Sequence, residues 1–96
     1  YNKVLRRDPN FWQAKFGLGV IYYQRGRLDL SERLWLDVIR INPNYNDTYI
    51  NLAVLYYYTQ NFQEAIKYVD LLKAKGVNIE QINPGLYNSL NAYRKK

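Results

Sequence analysis

The chain contains no cysteine, no histidine and no methionine among its 96 residues. Without cysteine there are no disulfides and no thiol chemistry, and the redox compartment stays open. Without histidine or cysteine a zinc site lacks its usual ligands, and no side chain titrates near neutral pH at its ordinary pKa. A Ser–His or Cys–His catalytic set is therefore excluded, and no glycine-rich phosphate loop is present. The sequence predicts a non-enzymatic protein without a metal site or a cofactor.

Long apolar runs are also missing. No stretch approaches the roughly 20 apolar residues that a transmembrane helix needs, and no signal peptide pattern opens the chain. The first residue is Tyr1 rather than Met, so we expect an excerpt or a processed product. The compartment stays open, and the absence of a targeting pattern slightly favours the cytoplasm.

Acidic residues are the minority charge, with eight Asp and Glu against 14 Lys and Arg, for a net charge of +6. Such an excess favours acidic partners, including peptides, nucleic acid and anionic membrane surfaces. Most of the cations are scattered among acids, which is typical of plain solubility, and we prefer that interpretation. Local clusters occur only at Arg6-Arg7, Arg25-Gly26-Arg27 and Arg94-Lys95-Lys96.

What the chain does contain is a repeated stretch. Residues 18–23 (LGVIYY) return 34 positions later as residues 52–57 (LAVLYY), with four of six residues identical. Two helix-stop sequences, Asp8-Pro9-Asn10 and Asn42-Pro43-Asn44, are also 34 residues apart. A fixed period of this size marks a repeat architecture, in which each unit buries its apolar face by stacking on the next.

Each unit is predicted to consist of two helices. Apolar residues at i, i+3 and i+4 predict helices over 11–25, 28–41, 46–59 and 62–75, with Gly26 and Gly76 as caps. Residues 1–8 have the pattern of the end of an earlier helix, and Asn83-Pro84 begins a last one. Gly17 and Gly19 lie inside the first full helix, where glycine costs about 1 kcal/mol relative to alanine. This pair predicts a neighbouring helix that passes very close.

The pattern resembles the tetratricopeptide repeat, a helix–turn–helix unit of about 34 residues. The resemblance implies an all-α fold, a right-handed α-solenoid. Residues 1–11 would end a preceding repeat, 12–45 and 46–79 would be repeats, and 80–96 would form a C-terminal solvating helix. The matching residues are Leu18-Gly19, Tyr22, Gly26, Ser31, Trp35, Val38 and Pro43 in the first repeat, and Tyr49, Leu52-Ala53, Tyr56, Ala65 and Leu72 in the second.

Three positions depart from the family pattern. Lys15 stands where the family usually has an aromatic residue, Gln60 replaces the turn glycine, and Val77 replaces the closing proline. The last change fits a terminal repeat, because no further repeat need be angled off it.

The resemblance implies a protein-interaction scaffold. The first helices of the family line a concave groove that commonly holds an extended peptide or a partner helix. Tyrosine offers a large contact area with a polar tip, so a tyrosine-rich groove favours a hydrophobic or aromatic-anchored segment. Carried over by repeat register, the partner-binding positions are Gln13, Phe16, Val20, Tyr23, Gln24, Ile50, Asn51, Val54, Tyr57 and Tyr58.

One family subtype holds the C-terminal carboxylates of heat-shock chaperones with cations and amides in this groove. Here Asn51 matches one such position, whereas Phe16, Val20 and Asp47 replace the other cations and amides. The sequence therefore disfavours a carboxylate clamp.

Other interpretations of the same residues stay open. Phe16, Val20, Ile50 and Val54 are as well explained by packing between helices as by binding. Self-assembly into a homo-oligomer of a longer repeat protein is the main alternative function, because exposed apolar patches commonly mark such contacts. Binding of single-stranded RNA ranks below both, because the predicted groove positions are mostly apolar and carry no basic stripe.

Overall fold

A computed structural model of the chain describes residues 11–94, so the predicted helix over 1–8 and the tail residues Lys95 and Lys96 lie outside the described residues. Within 11–94 the chain forms six helices and no strand, which confirms the expected all-α helical-repeat fold. The four long predicted helices begin and end within one residue of their predicted bounds. The helices are α1 (Trp12–Gln24), α2 (Leu28–Ile41), α3 (Asn46–Tyr58), α4 (Phe62–Ala74), α5 (Ile79–Ile82) and α6 (Pro84–Arg94).

The chain divides into two compact units, with the boundary between Thr48 and Tyr49. Unit 1 contains α1, α2 and the start of α3. Unit 2 contains the rest of α3 together with α4, α5 and α6. The repeat boundaries at 12–45 and 46–79 stay predictions.

Two glycines end helices as expected. Gly26 has φ +79° and Gly76 has φ +86°, a left-handed conformation that is cheap only for glycine. After α1, the Gly26 N–H donates to the Tyr23 carbonyl at 3.1 Å and the Arg27 N–H donates to the Tyr22 carbonyl at 2.8 Å. These are the two hydrogen bonds of a Schellman motif, and they satisfy carbonyls that the helix end leaves open.

The turn between α3 and α4 has the same geometry without glycine. Gln60 has φ 65°, its N–H donates to the Tyr57 carbonyl at 3.1 Å, and the Asn61 N–H donates to the Tyr56 carbonyl at 2.8 Å. The departure seen in the sequence therefore changes the residue and keeps the motif. Its cost is the left-handed strain of a residue with a Cβ, roughly 1 kcal/mol.

Unit 1 is held together by close contact between α1 and α2. The Ser31 hydroxyl donates to the Gly19 carbonyl at 2.6 Å, and the Trp35 indole N–H donates to the Phe16 carbonyl at 3.2 Å. Ser31 is fully buried and Trp35 is 2% exposed. A Cβ at Gly19 would overlap the Trp35 ring, 2.7 Å from Cδ1. The close neighbour predicted from the glycines is thus, at Gly19, the Trp35 indole of α2.

Lys15 also joins the two helices of unit 1. Its ammonium group lies 3.2 Å from the Asp37 carboxylate, and only 13% of the lysine side chain is exposed. Arg40 approaches the other oxygen of Asp37 at 3.6 Å. A lysine replaces the family's usual aromatic residue here because its stem can pack on the helix while its charge meets a carboxylate on α2.

Unit 2 buries the repeat-matched face of α3 against later helices. Its tyrosines pack together, with Tyr68 stacked on Tyr56 at 5.7 Å and tilted against Tyr49 at 6.0 Å. The fully or nearly fully buried apolar residues are Leu52, Ala53, Leu55, Ala65, Val69, Leu72, Ile79, Leu86 and Leu90.

The last helix, α6, is capped at its N-terminus and joined to α4 at its C-terminus. The Asn83 side chain accepts a hydrogen bond from the Leu86 N–H at 3.2 Å, as expected of an N-cap. At the other end Arg94 donates to Asp70 of α4 at 2.9 Å. The buried residues Leu86 and Leu90 lie between Asn83 and Arg94 along the helix. Burial of each such side chain contributes roughly 1.5–3 kcal/mol to the stability of the folded chain.

Replacement of Gly19 by Ala is expected to destabilise the chain by about 1–3 kcal/mol, because the indole must move and its hydrogen bond is disturbed. The helix-propensity gain of alanine over glycine, about 1 kcal/mol, offsets only part of a loss in the upper part of this range. The measurement is the free energy of unfolding in urea. Gly85→Ala in α6 is the matched control, since its Cβ would meet only Asn83 Oδ1 at 3.8 Å. A Gly19→Ala protein as stable as the control would contradict the close packing.

Replacement of Gln60 by Gly is expected to raise the free energy of unfolding by about 0.5–1 kcal/mol, because glycine removes the left-handed strain. The reciprocal change Gly26→Ala is expected to lower it by about 1 kcal/mol. No atom lies within 4 Å of a Cβ at Gly26, so that change reports on the backbone alone. Thermal unfolding of both variants measures the two changes in stability. If both variants are stabilised, or both are destabilised, the turn geometry is refuted.

Candidate partner-binding surface

The predicted binding residues of unit 2 lie along one side of α3. Ile50, Asn51, Val54 and Tyr57 are half-buried, and Tyr58 is 66% exposed. The opposite side of α3 carries the buried core residues, including Leu52 and Leu55. The helix is apolar on both sides because it uses one side for the core and keeps the other partly accessible.

Three of these residues line a cleft. Val54, Tyr57 and Tyr58 form its α3 side. The cleft has a volume of about 280 Å³, and its other side consists of Asn83, Gly85, Leu86 and Ser89 at the beginning of α6. None of the seven lining residues carries a formal charge. The first helix of the repeat and the last helix of the unit therefore enclose an uncharged, partly aromatic recess.

The same aromatic residues continue into a row of rings across unit 2, which we call the aromatic row: Tyr58, Tyr57, Phe62 and Tyr93. Successive ring centroids are 5.6 Å apart for Tyr58 and Tyr57, 5.8 Å for Tyr57 and Phe62, and 4.9 Å for Phe62 and Tyr93. These separations are those of edge-to-face and offset aromatic pairs. Tyr93 is 38% exposed, so both ends of the row reach solvent.

A second cleft adjoins the far end of the aromatic row. It has a volume of about 230 Å³ and is lined by Gln60, Asn61, Phe62, Gln63, Glu64 and Tyr93. Phe62 and Tyr93 were not among the predicted binding residues, because the family register assigns the groove to first helices. Their places in the sequence could have indicated both residues. Phe62 directly follows the turn after α3, and Tyr93 is the last residue of the apolar stripe of α6.

In unit 1 the predicted residues divide into two sets. Gln13 and Gln24 are exposed, whereas Phe16, Val20 and Tyr23 are half-buried. Phe16 meets Tyr45 edge-on with ring centroids 5.1 Å apart, and the ring of Tyr23 lies 5.9 Å from that of Trp35. The two rings thus contribute to packing within unit 1, and their remaining surface faces solvent together with Val20.

Tyr45 closes this aromatic cluster and has a perturbed hydroxyl. Its ring also lies 4.6 Å from that of Trp12. Burial raises the pKa of Tyr45 above its ordinary value of 10.0, and the charge of Asp47 and a side-chain hydrogen bond to Asp47 raise it further. Burial likewise raises the pKa of Tyr49 in unit 2. The neutral phenol is therefore the form that the folded chain favours at both positions.

A cavity of about 390 Å³ in unit 2 is lined by none of the predicted binding residues. It is lined by Val69, Asp70, Lys73, Gly76, Val77, Asn78, Ile79, Glu80, Tyr87, Asn91 and Arg94. Its charged groups are of both signs, and two of them form the Asp70–Arg94 ion pair. The cavity is thus a charged recess between α4, α5 and α6, in contrast to the uncharged cleft beside α3.

Residues 11–94 show neither a membrane span nor a metal-binding cluster. No helix in this part of the chain is both long and apolar enough to cross a bilayer. The same residues contain no group of three or more acidic side chains arranged to hold a metal ion.

Comparison with known proteins finds two models of the tetratricopeptide repeat, one matching residues 1–47 and the other residues 47–70. The chain is also 32% identical over 91 residues to Superkiller protein 3 of Schizosaccharomyces pombe. That alignment covers 95% of this chain and 6% of the relative. The chain therefore spans a small fraction of the length of this relative.

Replacement of Asp47 by Asn is expected to lower the pKa of Tyr45 toward 10, because the carboxylate no longer opposes the phenolate. The raised pKa contributes stability that is fully present below pH 10 and is lost as the pH rises through the folded-state pKa. Alkaline titration of phenolate absorbance, with Tyr45→Phe to identify the residue's contribution, measures the shift. An unchanged titration of Tyr45 in the Asp47→Asn protein would contradict the pairing.

Proposed function

Because the chain belongs to the tetratricopeptide repeat family, we propose that it is an interaction module that holds a peptide or a partner helix. The exposed side of α1 in unit 1 and that of α3 in unit 2 each offer contact residues. Repeats of this family generally mediate protein–protein interactions and are typically non-enzymatic. The proposed contact residues are those of the two first helices that remain accessible, and among them Val54, Tyr57 and Tyr58 line a cleft.

The observation that carries this proposal is the uncharged cleft beside α3. Its volume of about 280 Å³ is slightly below the roughly 300–1,000 Å³ of small-molecule sites. A recess of this size suits one large apolar or aromatic side chain of a partner. Burial of such a side chain is worth roughly 1.5–3 kcal/mol, which is typical of an anchor residue at an interface.

The distribution of charge supports the same face. Among the residues of α1 and α3, only Lys15 and Asp47 are charged, whereas α2 and α4 together carry five acids and four cations. Lys15 is already paired with Asp37. A partner on the first helices therefore meets little charge. The second helices are together net negative, so an acidic partner would be attracted instead by the basic turn at Arg25 and Arg27.

The test is affinity capture from nuclease-treated lysate with the wild-type chain and with a Val20→Glu/Val54→Glu variant. A glutamate at each position would place a buried, unpaired charge against an apolar partner. Capture is expected to fall at least about tenfold, the factor that corresponds to about 1.4 kcal/mol. The matched control is Leu36→Glu/Leu71→Glu, which alters residues that are 40% and 39% exposed on α2 and α4.

Circular dichroism and thermal unfolding confirm that both variants are folded before capture is compared. Loss in the Val20/Val54 variant with retention in the control supports the first-helix face. Equal capture by all three proteins would overturn the proposed face, and loss only in the control would move the binding surface to the second helices.

A further inference from the structure

We propose that the aromatic row of unit 2 and its two adjoining clefts bind a proline-rich segment in the polyproline II conformation. This inference rests on the proposed interaction function and names the occupant of one part of the surface. It also extends that surface beyond the first helices, because it adds Phe62 of α4 and Tyr93 of α6 to Tyr57 and Tyr58.

The arrangement of rings and clefts supports this occupant. The clefts of about 280 Å³ and about 230 Å³ adjoin opposite parts of the aromatic row, and Tyr57 contacts Phe62 between them. Proline-rich segments dock on surfaces where aromatic side chains separate shallow grooves. A polyproline II helix has three residues per turn, so it presents pyrrolidine rings to such a surface at regular intervals.

The rim of the aromatic row carries amide side chains. Gln60, Gln63 and Asn83 line the two clefts, and the two glutamines are exposed. The Oδ1 atom of Asn83 accepts from the Leu86 N–H, so the group that Asn83 offers a ligand is its Nδ2 donor. A polyproline II backbone has no internal hydrogen bonds and its carbonyls are solvated. Amide donors beside an aromatic row can therefore bind those carbonyls.

Charge favours this occupant over a nucleic acid, which also stacks on aromatic rings. A single-stranded nucleic acid site combines its stacking residues with cations that follow the phosphates. The two cleft linings contain no Lys or Arg, and their one charged residue is Glu64. Proline-rich segments need no formal charge in the site, so the uncharged aromatic row suits them. The Glu64 carboxylate in the second cleft would repel a phosphate.

The experiment titrates the isotopically labelled 96-residue chain with an end-capped proline decamer and follows amide resonances by NMR. A glycine–serine decamer and an oligouridine of ten nucleotides are the comparison ligands. Saturable shifts at residues 57, 58, 62 and 93 with the proline decamer alone are expected. Absent saturation, equal response to the glycine–serine peptide, or preferential binding of oligouridine would each overturn the proposal.

Variants of Tyr58 test the role of the ring. Tyr58→Ala is expected to weaken binding of the proline decamer about tenfold, whereas Tyr58→Phe, which keeps the ring, stays within about twofold. Tyr58 is 66% exposed, so its removal leaves the core intact. The control is Leu71→Ala, an exposed apolar residue of α4 outside both cleft linings, and it is expected to bind as the wild type does.

Equal affinity of the wild type and Tyr58→Ala would refute the assignment. The result is separable from that of the capture experiment. If Val20→Glu/Val54→Glu abolishes capture while the proline decamer fails to bind, the interaction surface stands and its proposed occupant is wrong. If capture is unaffected and the decamer binds through Tyr58, the aromatic row is a binding site and the part of the first-helix face around Val20 and Val54 is not.

Discussion

The contact between Gly19 and the Trp35 indole is the constraint on which the geometry of unit 1 depends. An indole can lie against the backbone of α1 only where the helix has no Cβ. Once it lies there, its N–H reaches the Phe16 carbonyl and the Ser31 hydroxyl reaches the Gly19 carbonyl. Helix hydrogen bonding already uses these carbonyls, and each has a second lone pair to offer. Close packing and added hydrogen bonds thus fix the spacing of α1 and α2 together.

The 34-residue register shows how unit 2 solves the same problem with different side chains. The positions equivalent to Gly19, Ser31 and Trp35 are Ala53, Ala65 and Val69. All three are buried, with 0%, 0% and 5% exposure. Ala53 has one methyl group more than Gly19, whereas Val69 has a much smaller side chain than Trp35. The volume added on the first helix of unit 2 is therefore offset by volume lost on the second. Packing at native density requires such compensation, and it explains why the repeated stretch can tolerate glycine in one copy and alanine in the other.

Much of this fold could be predicted from local sequence. Apolar spacing gave the bounds of α1 to α4 within one residue, and glycine chemistry gave the turns at Gly26 and Gly76. Gln60 was visible as a departure, yet its positive φ follows from the hydrogen bonds that close the turn rather than from its own preference. The four-residue α5 escaped prediction because so short a segment has no periodicity to detect.

The candidate surface was less accessible to prediction, since its parts meet only in three dimensions. Register identified Val54, Tyr57 and Tyr58 because they lie on one helix. It could not identify Tyr93, which is 31 positions from Phe62 and touches it only when α6 is docked. Likewise the partner of Lys15 is an aspartate 22 positions away. Contacts between residues far apart in the chain depend on how the helices pack, which a single sequence does not reveal.

The charged side chains and the aromatic surface are largely separate. Ion pairs in both units connect one helix to another, Lys15 to Asp37 and Arg94 to Asp70, and most of the other cations lie exposed on second helices and turns. The net charge of +6 can speed encounter with an acidic surface. In the proposed interaction, short-range specificity comes from the uncharged rings and amides, because these groups discriminate by shape and hydrogen bonding and are little screened by salt.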